Sequence, residues 1–189
     1  MHHVADTDEE QVWLAQSRDG DPAAFAALIR KHQQMIHSLT YRMTGSLADC
    51  QDLAQETFIR AHQQLDRYQG TAKFSSWLYR IAVNACLDWR RQKQRRERLH
   101  QSWSEAIADQ AAEAGLTAPA DELSQAVQSA LMKLPAKQRA AIVLTVYGGQ
   151  NHAEAAKSLG CSETTVSWRI FSARRKLKKL LSRQGGLHE

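Results

Sequence analysis

Two helix-capping signals on either side of a glycine place the strongest constraint on how this chain can fold. Asn151, with Glu154 three residues later, matches an Asn-x-x-Glu variant of the capping box and begins one short helix. Gly160 follows as the residue type that tolerates a positive φ at a helix end, and Ser162 caps a second helix. A short helix joined to a second helix by a tight glycine turn predicts a helix-turn-helix.

The second helix of this unit is amphipathic. Its apolar side chains recur at helical spacing and form one inward stripe, namely Val166, Ile170, Ala173, Leu177 and Leu181. Seven Lys or Arg and no acidic residue lie between positions 167 and 183, a bias typical of a surface that neutralises phosphates. The alternative is a solvated amphipathic helix. We expect the following outward residues to contact duplex DNA: Thr165, Ser167, Trp168, Arg169, Ser172, Arg175, Lys176 and Lys179.

The rest of the chain also predicts helices. Asp21-Pro22 is a cap followed by a proline at the first helical position, and the apolar pattern then continues from Ala23 to Thr44. Gly45 ends that helix, Ser46 caps the next, and a third runs from about residue 74 to residue 98. Because no segment predicts a strand, we expect an all-α fold.

A weakly patterned segment divides the chain into two small helical domains. Residues 98–120 are rich in Ala, Gln and acids, and they include Gly115 and Pro119, as is typical of a linker. The predicted segments are an acidic N-terminal extension at 1–20, a first domain at 21–97, the linker at 98–120, a helix-turn-helix domain at 121–183, and a tail at 184–189.

Charge and cysteine usage exclude several classes of protein. The formal net charge of +5 favours a polyanionic partner. Cys50, Cys86 and Cys161 are far apart, and the His residues show no ligand spacing, so we expect neither a disulfide framework nor a metal or cofactor site. No apolar run is long enough to span a membrane, and the acidic N-terminus lacks the charge pattern of a signal peptide. We therefore expect a cytoplasmic protein.

Two predicted helices of the first domain carry distinctive outer faces. The helix after Ser46 presents acids and amides beside Phe58 and Ile59, which suits a basic and apolar partner, although an ordinary solvated acidic face is the alternative. The following helix carries Arg80, Asn84 and Arg91 opposite its apolar stripe. Trp77 and Trp89 lie on that stripe, where core packing competes with stacking on bases. This second face predicts a nucleic-acid surface.

Three segments in this order resemble the extracytoplasmic-function group of bacterial RNA polymerase sigma factors. The resemblance covers the chain from about residue 21 to residue 181. The segments are Asp49-Cys-Gln-Asp-Leu-Ala-Gln-Glu-Thr-Phe-Ile-Arg-Ala, then Phe74-x-x-Trp-Leu-Tyr-Arg-Ile-Ala-x-Asn84 with Asp88-Trp-Arg-Arg, and Leu134-Pro-x-x-Gln-Arg joined to the helix-turn-helix.

The resemblance implies a role for each face. The first segment would bind core RNA polymerase through Asp49, Asp52, Gln55, Glu56, Phe58 and Ile59. The second segment and the loop before it would capture the melted proximal promoter element through Gln69, Lys73, Arg80, Asn84, Arg91 and Arg95. The helix-turn-helix would read the distal promoter element as duplex DNA, with Arg169 as the candidate guanine contact. Most relatives are also held inactive by an anti-sigma protein.

One departure from the family concerns promoter preference. Where relatives usually carry Gly-Thr-Val-Lys/Arg-Ser-Arg, this chain has Thr164-Thr-Val-Ser-Trp-Arg169, so Ser167 and Trp168 replace a basic and a small residue. The sequence therefore predicts a sigma factor that is not an enzyme, directs core polymerase to promoters and helps to melt them. The alternative is a conventional helix-turn-helix activator or repressor with an N-terminal sensor or dimerisation domain.

Overall fold

The computed structural model describes residues 5–101 and 122–184, and these residues are predominantly helical, with no strand among them. The all-α prediction is confirmed. The predicted linker beyond residue 101 and the tail beyond residue 184 lie outside the described residues. The helices are α1 (Ala5–Arg18), α2 (Pro22–Thr44), α3 (Leu47–Gln63), α4 (Phe74–Gln101), α5 (Glu122–Met132), α6 (Ala136–Ile142), α7 (His152–Leu159) and α8 (Glu163–Gln184). A 3₁₀ turn at Leu65–Arg67 follows α3, and a π-helical turn at Val143–Tyr147 follows α6.

Caps predicted from the sequence set the limits of α2 and α3. The Asp21 side chain accepts a hydrogen bond from the Ala23 backbone N–H at 2.8 Å. Gly45 ends α2 at a φ of 73°, a left-handed conformation that favours glycine, and Ser46 caps α3 by accepting from the Asp49 N–H at 3.3 Å. Helices α1 to α4 form the first helical group, with Leu28, Ile36, Leu39 and other apolar side chains buried inside it.

Helix α1 (Ala5–Arg18) lies within the predicted acidic N-terminal extension and packs on α2. Its Leu14 is buried, and its Glu10 carboxylate lies 3.0 Å from the Lys31 ammonium and 3.1 Å from the His32 ring nitrogen, both on α2. The hydrogen bond with His32 lowers the pKa of Glu10 most, although burial of the carboxyl opposes that effect. These contacts hold α1 against α2, although α1 has few apolar residues.

The second helical group, α5 to α8, contains the predicted helix-turn-helix. Both hydrogen bonds of the capping box form, since Asn151 Oδ1 accepts from the Glu154 N–H and the Glu154 carboxylate accepts from the Asn151 N–H, each at 2.9 Å. Gly160 ends α7 at a φ of 58°, and Ser162 caps α8. Val166, Ile170 and Ala173 are buried, as the stripe predicts. The helix caps and the spacing of apolar residues therefore predicted the position of the helix-turn-helix correctly.

The two groups pack against each other through the C-terminal end of α2 and one side of α4. Five of the hydrogen bonds that cross between them end on backbone carbonyl oxygens. The donors are Gln128 to Tyr41, Arg139 to Met43, Tyr79 to Tyr147, Gln150 to Ser76, and Asn84 to Ser158. The Arg42 guanidinium also lies 4.1 Å from the Tyr147 ring centroid.

Arg139 is fully buried where the groups meet. Besides the Met43 carbonyl of the first group, it donates to the Met132 carbonyl at 2.8 Å and the Leu134 carbonyl at 3.1 Å. Burial lowers the pKa of Arg139 to about 10, with a further contribution from the nearby Arg90 charge. A single guanidinium on α6 thus binds both the end of α2 and the connection between α5 and α6.

Candidate nucleic-acid interface

The outward face of α8 is dominated by aromatic and basic side chains. Trp168 is 63% exposed and Phe171 is 66% exposed, and Arg175, Lys176 and Lys179 are exposed in the following turns. Two large aromatic side chains thus lie in water one helical turn apart, which is typical of an interaction surface. Phe171 was missed in the sequence analysis, although its position three residues after Trp168 was a usable signal.

Four other predicted readers of duplex DNA have partners inside the protein. Thr165 Oγ1 lies 2.9 Å from Ser162 Oγ. Ser167 Oγ lies 2.9 Å from His152 Nδ1, and Ser172 Oγ accepts from the Gln138 amide at 3.2 Å. The partly buried Arg169 donates to Cys161 Sγ at 3.3 Å. Because Arg169 lies to the side of the aromatic face, a guanine contact requires its guanidinium to leave the sulfur.

Aromatic packing shapes the loop before α4. Tyr68 donates its hydroxyl to the Ala72 carbonyl at 2.6 Å, and its ring packs against Phe74 and Trp77 with centroids 5.4 and 5.3 Å away. Trp77 is therefore a core residue, whereas Trp89 is only partly buried. The predicted contacts Gln69 and Lys73 are exposed on this fixed loop.

Helix α1 forms one wall of a cavity beside this loop. The cavity measures about 600 Å³ and is lined by Glu10, Lys31 and His32 on one side and by residues 70–75 on the other. Arg18 of α1 also donates to the Tyr68 carbonyl, which ties the loop to the first helix. This contribution of α1 to the cavity wall could not be predicted, because Glu10 and Arg18 belong to no recognisable motif.

The basic side of α4 is only partly accessible to a ligand. Asn84 donates to the Ser158 carbonyl of α7 at 3.5 Å, so this predicted promoter contact is engaged by the helix-turn-helix. Arg80 is exposed beside it. Farther along α4, Arg91 pairs with Asp88, and Arg95 is exposed. In this arrangement α7, the first helix of the helix-turn-helix, covers part of the predicted surface on α4.

The outer face of α3 combines acidic, amide and apolar groups. Asp52 and Gln55 are exposed and Ile59 is 50% exposed, whereas Phe58 is only 9% exposed. Phe58 instead lines a groove of about 470 Å³ between α2 and α3, together with Phe25 and Ile29.

Two other predicted residues of this face are less exposed to solvent than Asp52 and Gln55. Asp49 is partly buried in the first turn of α3. Glu56 pairs with Arg60, which also approaches Asp88 at 3.5 Å. The exposed part of the face therefore consists of Asp52, Gln55 and Ile59 beside an apolar groove.

Over residues 5–101 and 122–184, no cluster of three His, Cys, Asp or Glu side chains is arranged to hold a metal ion. Burial raises the pKa of Cys86 to about 12, which keeps its thiol protonated. None of the helices in these two stretches has the length and apolarity needed to cross a bilayer.

Each of the two helical groups matches a known protein family. The family model described as Sigma-70 region 2 matches residues 28–96, and the model described as Sigma-70, region 4 matches residues 124–177. The ECF RNA polymerase sigma factor SigM of Mycobacterium tuberculosis is 38% identical over 168 residues, which cover 89% of this chain and 82% of that protein. SigW of Bacillus subtilis is 35% identical over 182 residues, covering 89% of this chain and 94% of its own.

A solved structure shows the same architecture. The sigma factor RpoE of Bartonella quintana, in a co-crystal with the anti-sigma factor NepR, matches with a TM-score of 0.64 and 25% identity, over 84% of this chain and 96% of that chain. These findings do not favour a conventional activator or repressor. With two sigma-70 regions in order and relatives matched over most of their length, the chain belongs to the ECF RNA polymerase sigma factors.

Proposed function

We propose that this chain binds core RNA polymerase through α3, directs it to a set of promoters and helps to melt them. The observation that carries this proposal is the exposed Asp52, Gln55 and Ile59 face beside an apolar groove. This face is separate from the basic sides of α4 and α8, so one chain can hold a protein partner and DNA together. Charge and apolar complementarity would fix the partner's register.

The two DNA contacts belong to different helical groups. The exposed Trp168, Arg175 and Lys179 of α8 support binding to a duplex promoter element. The loop with Gln69 and Lys73, beside its cavity, supports capture of an unstacked base in the melted element. We propose the predicted domain limits, 21–97 and 121–183, as the units that carry these activities.

The chain acts as an initiation factor and not as an enzyme, and it works in the cytoplasm, where bacterial RNA polymerase and promoter DNA are found. The co-crystal of the related RpoE with an anti-sigma factor supports regulation of this chain by a partner of that kind. Since Asn84 is engaged by α7, promoter melting requires this contact to break.

The test is promoter-specific runoff transcription with purified core polymerase. We expect the full chain to support runoff without any small-molecule effector. Asp52→Arg should abolish both runoff and co-purification with core polymerase, because it places a cation on an exposed acidic face. Asp66→Arg makes the same charge change at an exposed site after α3 and should leave both unchanged. Full binding of core polymerase by folded Asp52→Arg would contradict the assignment to α3.

A further inference from the structure

A cationic cleft lies between the two helical groups, where α7 faces α4 and the loop before it. It consists of two adjoining cavities of about 460 and 370 Å³, and Arg80, Lys157 and Ser158 line both of them. Arg60 lines the first cavity and Arg67 the second. These volumes fall in the range of small-molecule sites.

The charges in the cleft are unbalanced. Among the described residues that line it, Glu154 is the one acid, and its carboxylate accepts from the Asn151 N–H. Arg60 is neutralised by Glu56 and Asp88. Within the described part of the chain, no carboxylate pairs with Arg67, Arg80 or Lys157. The packing of α7 on α4 described above, termed here the closed arrangement, therefore brings cations of both groups together. An anion between them would relieve their repulsion.

The walls of the cleft are held by a chain of hydrogen bonds. Gln150 is 4% exposed and donates to the Ser76 carbonyl of α4 at 3.3 Å, while its own oxygen accepts from Ser158 Oγ at 3.1 Å. The Ser158 carbonyl in turn accepts from Asn84. Because both ends of this chain lie on α4, α7 is fixed across the cleft. A DNA duplex is too wide for cavities of this size, whereas a small anion fits.

We propose that this cleft binds a small anion with at least two phosphate groups and that the anion favours the closed arrangement. Its phosphates bridge Arg80 of the first group and Lys157 of the second. A ligand that binds only the closed form stabilises that form by mass action. Since Asn84 and Arg80 face α7 in the closed form, such an anion opposes promoter melting without touching the outward face of α8.

The test is isothermal titration calorimetry of the full chain with pyrophosphate, with sulfate at the same ionic strength as the comparison. We expect pyrophosphate to bind in preference to sulfate. Lys157→Gln should weaken pyrophosphate binding about tenfold, because a charge-assisted contact is lost. Lys137→Gln removes the same charge at an exposed site on α6 outside the cleft and should bind as the unmodified chain does.

A third variant separates the closed arrangement from simple charge attraction. Gln150→Ala keeps every charge but removes the bonds to Ser76 and Ser158, so it should also weaken pyrophosphate binding. Circular dichroism would confirm that each variant is folded. Equal affinities for pyrophosphate and sulfate, or equal weakening by Lys157→Gln and Lys137→Gln, would overturn the proposed site. Unchanged binding by Gln150→Ala would overturn its link to domain closure, whether or not the chain binds core polymerase.

Discussion

Replacing Arg139 by methionine tests whether the guanidinium where the two groups meet is a net source of stability. Arg139 donates to three backbone carbonyls, of Met43, Met132 and Leu134. Hydrogen bonds from a charged donor contribute roughly 1.5 to 3 kcal/mol each, or about 4.5 to 9 kcal/mol for the set. The fall in the pKa of Arg139 from 12.5 to about 10 marks an opposing cost of burial, roughly 3.5 kcal/mol at about 1.4 kcal/mol per pH unit.

The difference between these terms predicts a net loss of about 3 kcal/mol in Arg139→Met, since methionine leaves the three carbonyls buried without a donor. For a chain of this length, that loss lowers the melting temperature by about 6 to 12 °C. Thermal unfolding followed by circular dichroism measures it, with Lys137→Met as the control, because Lys137 is exposed on the same helix. A melting temperature of Arg139→Met within about 2 °C of the unmodified chain would refute the reasoning.

Three further outcomes are expected. Lys179→Ala should weaken binding to all duplex sequences alike and reduce the slope of log affinity against log salt by roughly one, as filter binding at several salt concentrations would show. Trp168→Ala should reduce affinity for promoter sites with thymine at one position. It should change the free energy of unfolding by less than about 0.5 kcal/mol, because the Trp168 side chain is 63% exposed. A large drop in melting temperature would instead place Trp168 in the core. Glu10→Gln should lower stability at pH 7 by roughly 1 kcal/mol. Because the hydrogen bond with His32 lowers the pKa of Glu10, this difference is full above the ordinary carboxyl range and disappears as the pH falls through the lowered value, which unfolding measured from pH 7 to pH 3 would reveal.

Local signals in the sequence were enough to predict the helix-turn-helix. Asn151, Gly160 and Ser162 act on backbone groups within four residues of themselves, so their roles can be read without knowing the tertiary fold. Helix α1 could not be predicted in the same way. Its Glu10 is held by Lys31 and His32, more than twenty residues away, and no local pattern reports such a contact.

The candidate sites were predictable in outline but not in detail. The pattern of α8 placed Trp168 and Lys179 outward, because helical spacing alone determines that side. It did not reveal that Arg169 is bonded to Cys161, or that Ser172 is bonded to Gln138, since these partners come from other parts of the fold. The contact of Asn84 with Ser158 joins residues 74 positions apart. Only tertiary packing brings such groups together.

The hydrogen bonds between the two groups depend on the side chain of the donor residue but not on that of the acceptor residue. Gln128, Arg139 and Gln150 each reach across to a backbone carbonyl, and a carbonyl is present whatever side chain its residue carries. Mutation at the acceptor positions therefore leaves the bonds intact, whereas mutation of a donor removes one. The side chains of Tyr41 and Ser76 can thus change while the carbonyls that accept from Gln128 and Gln150 remain in place.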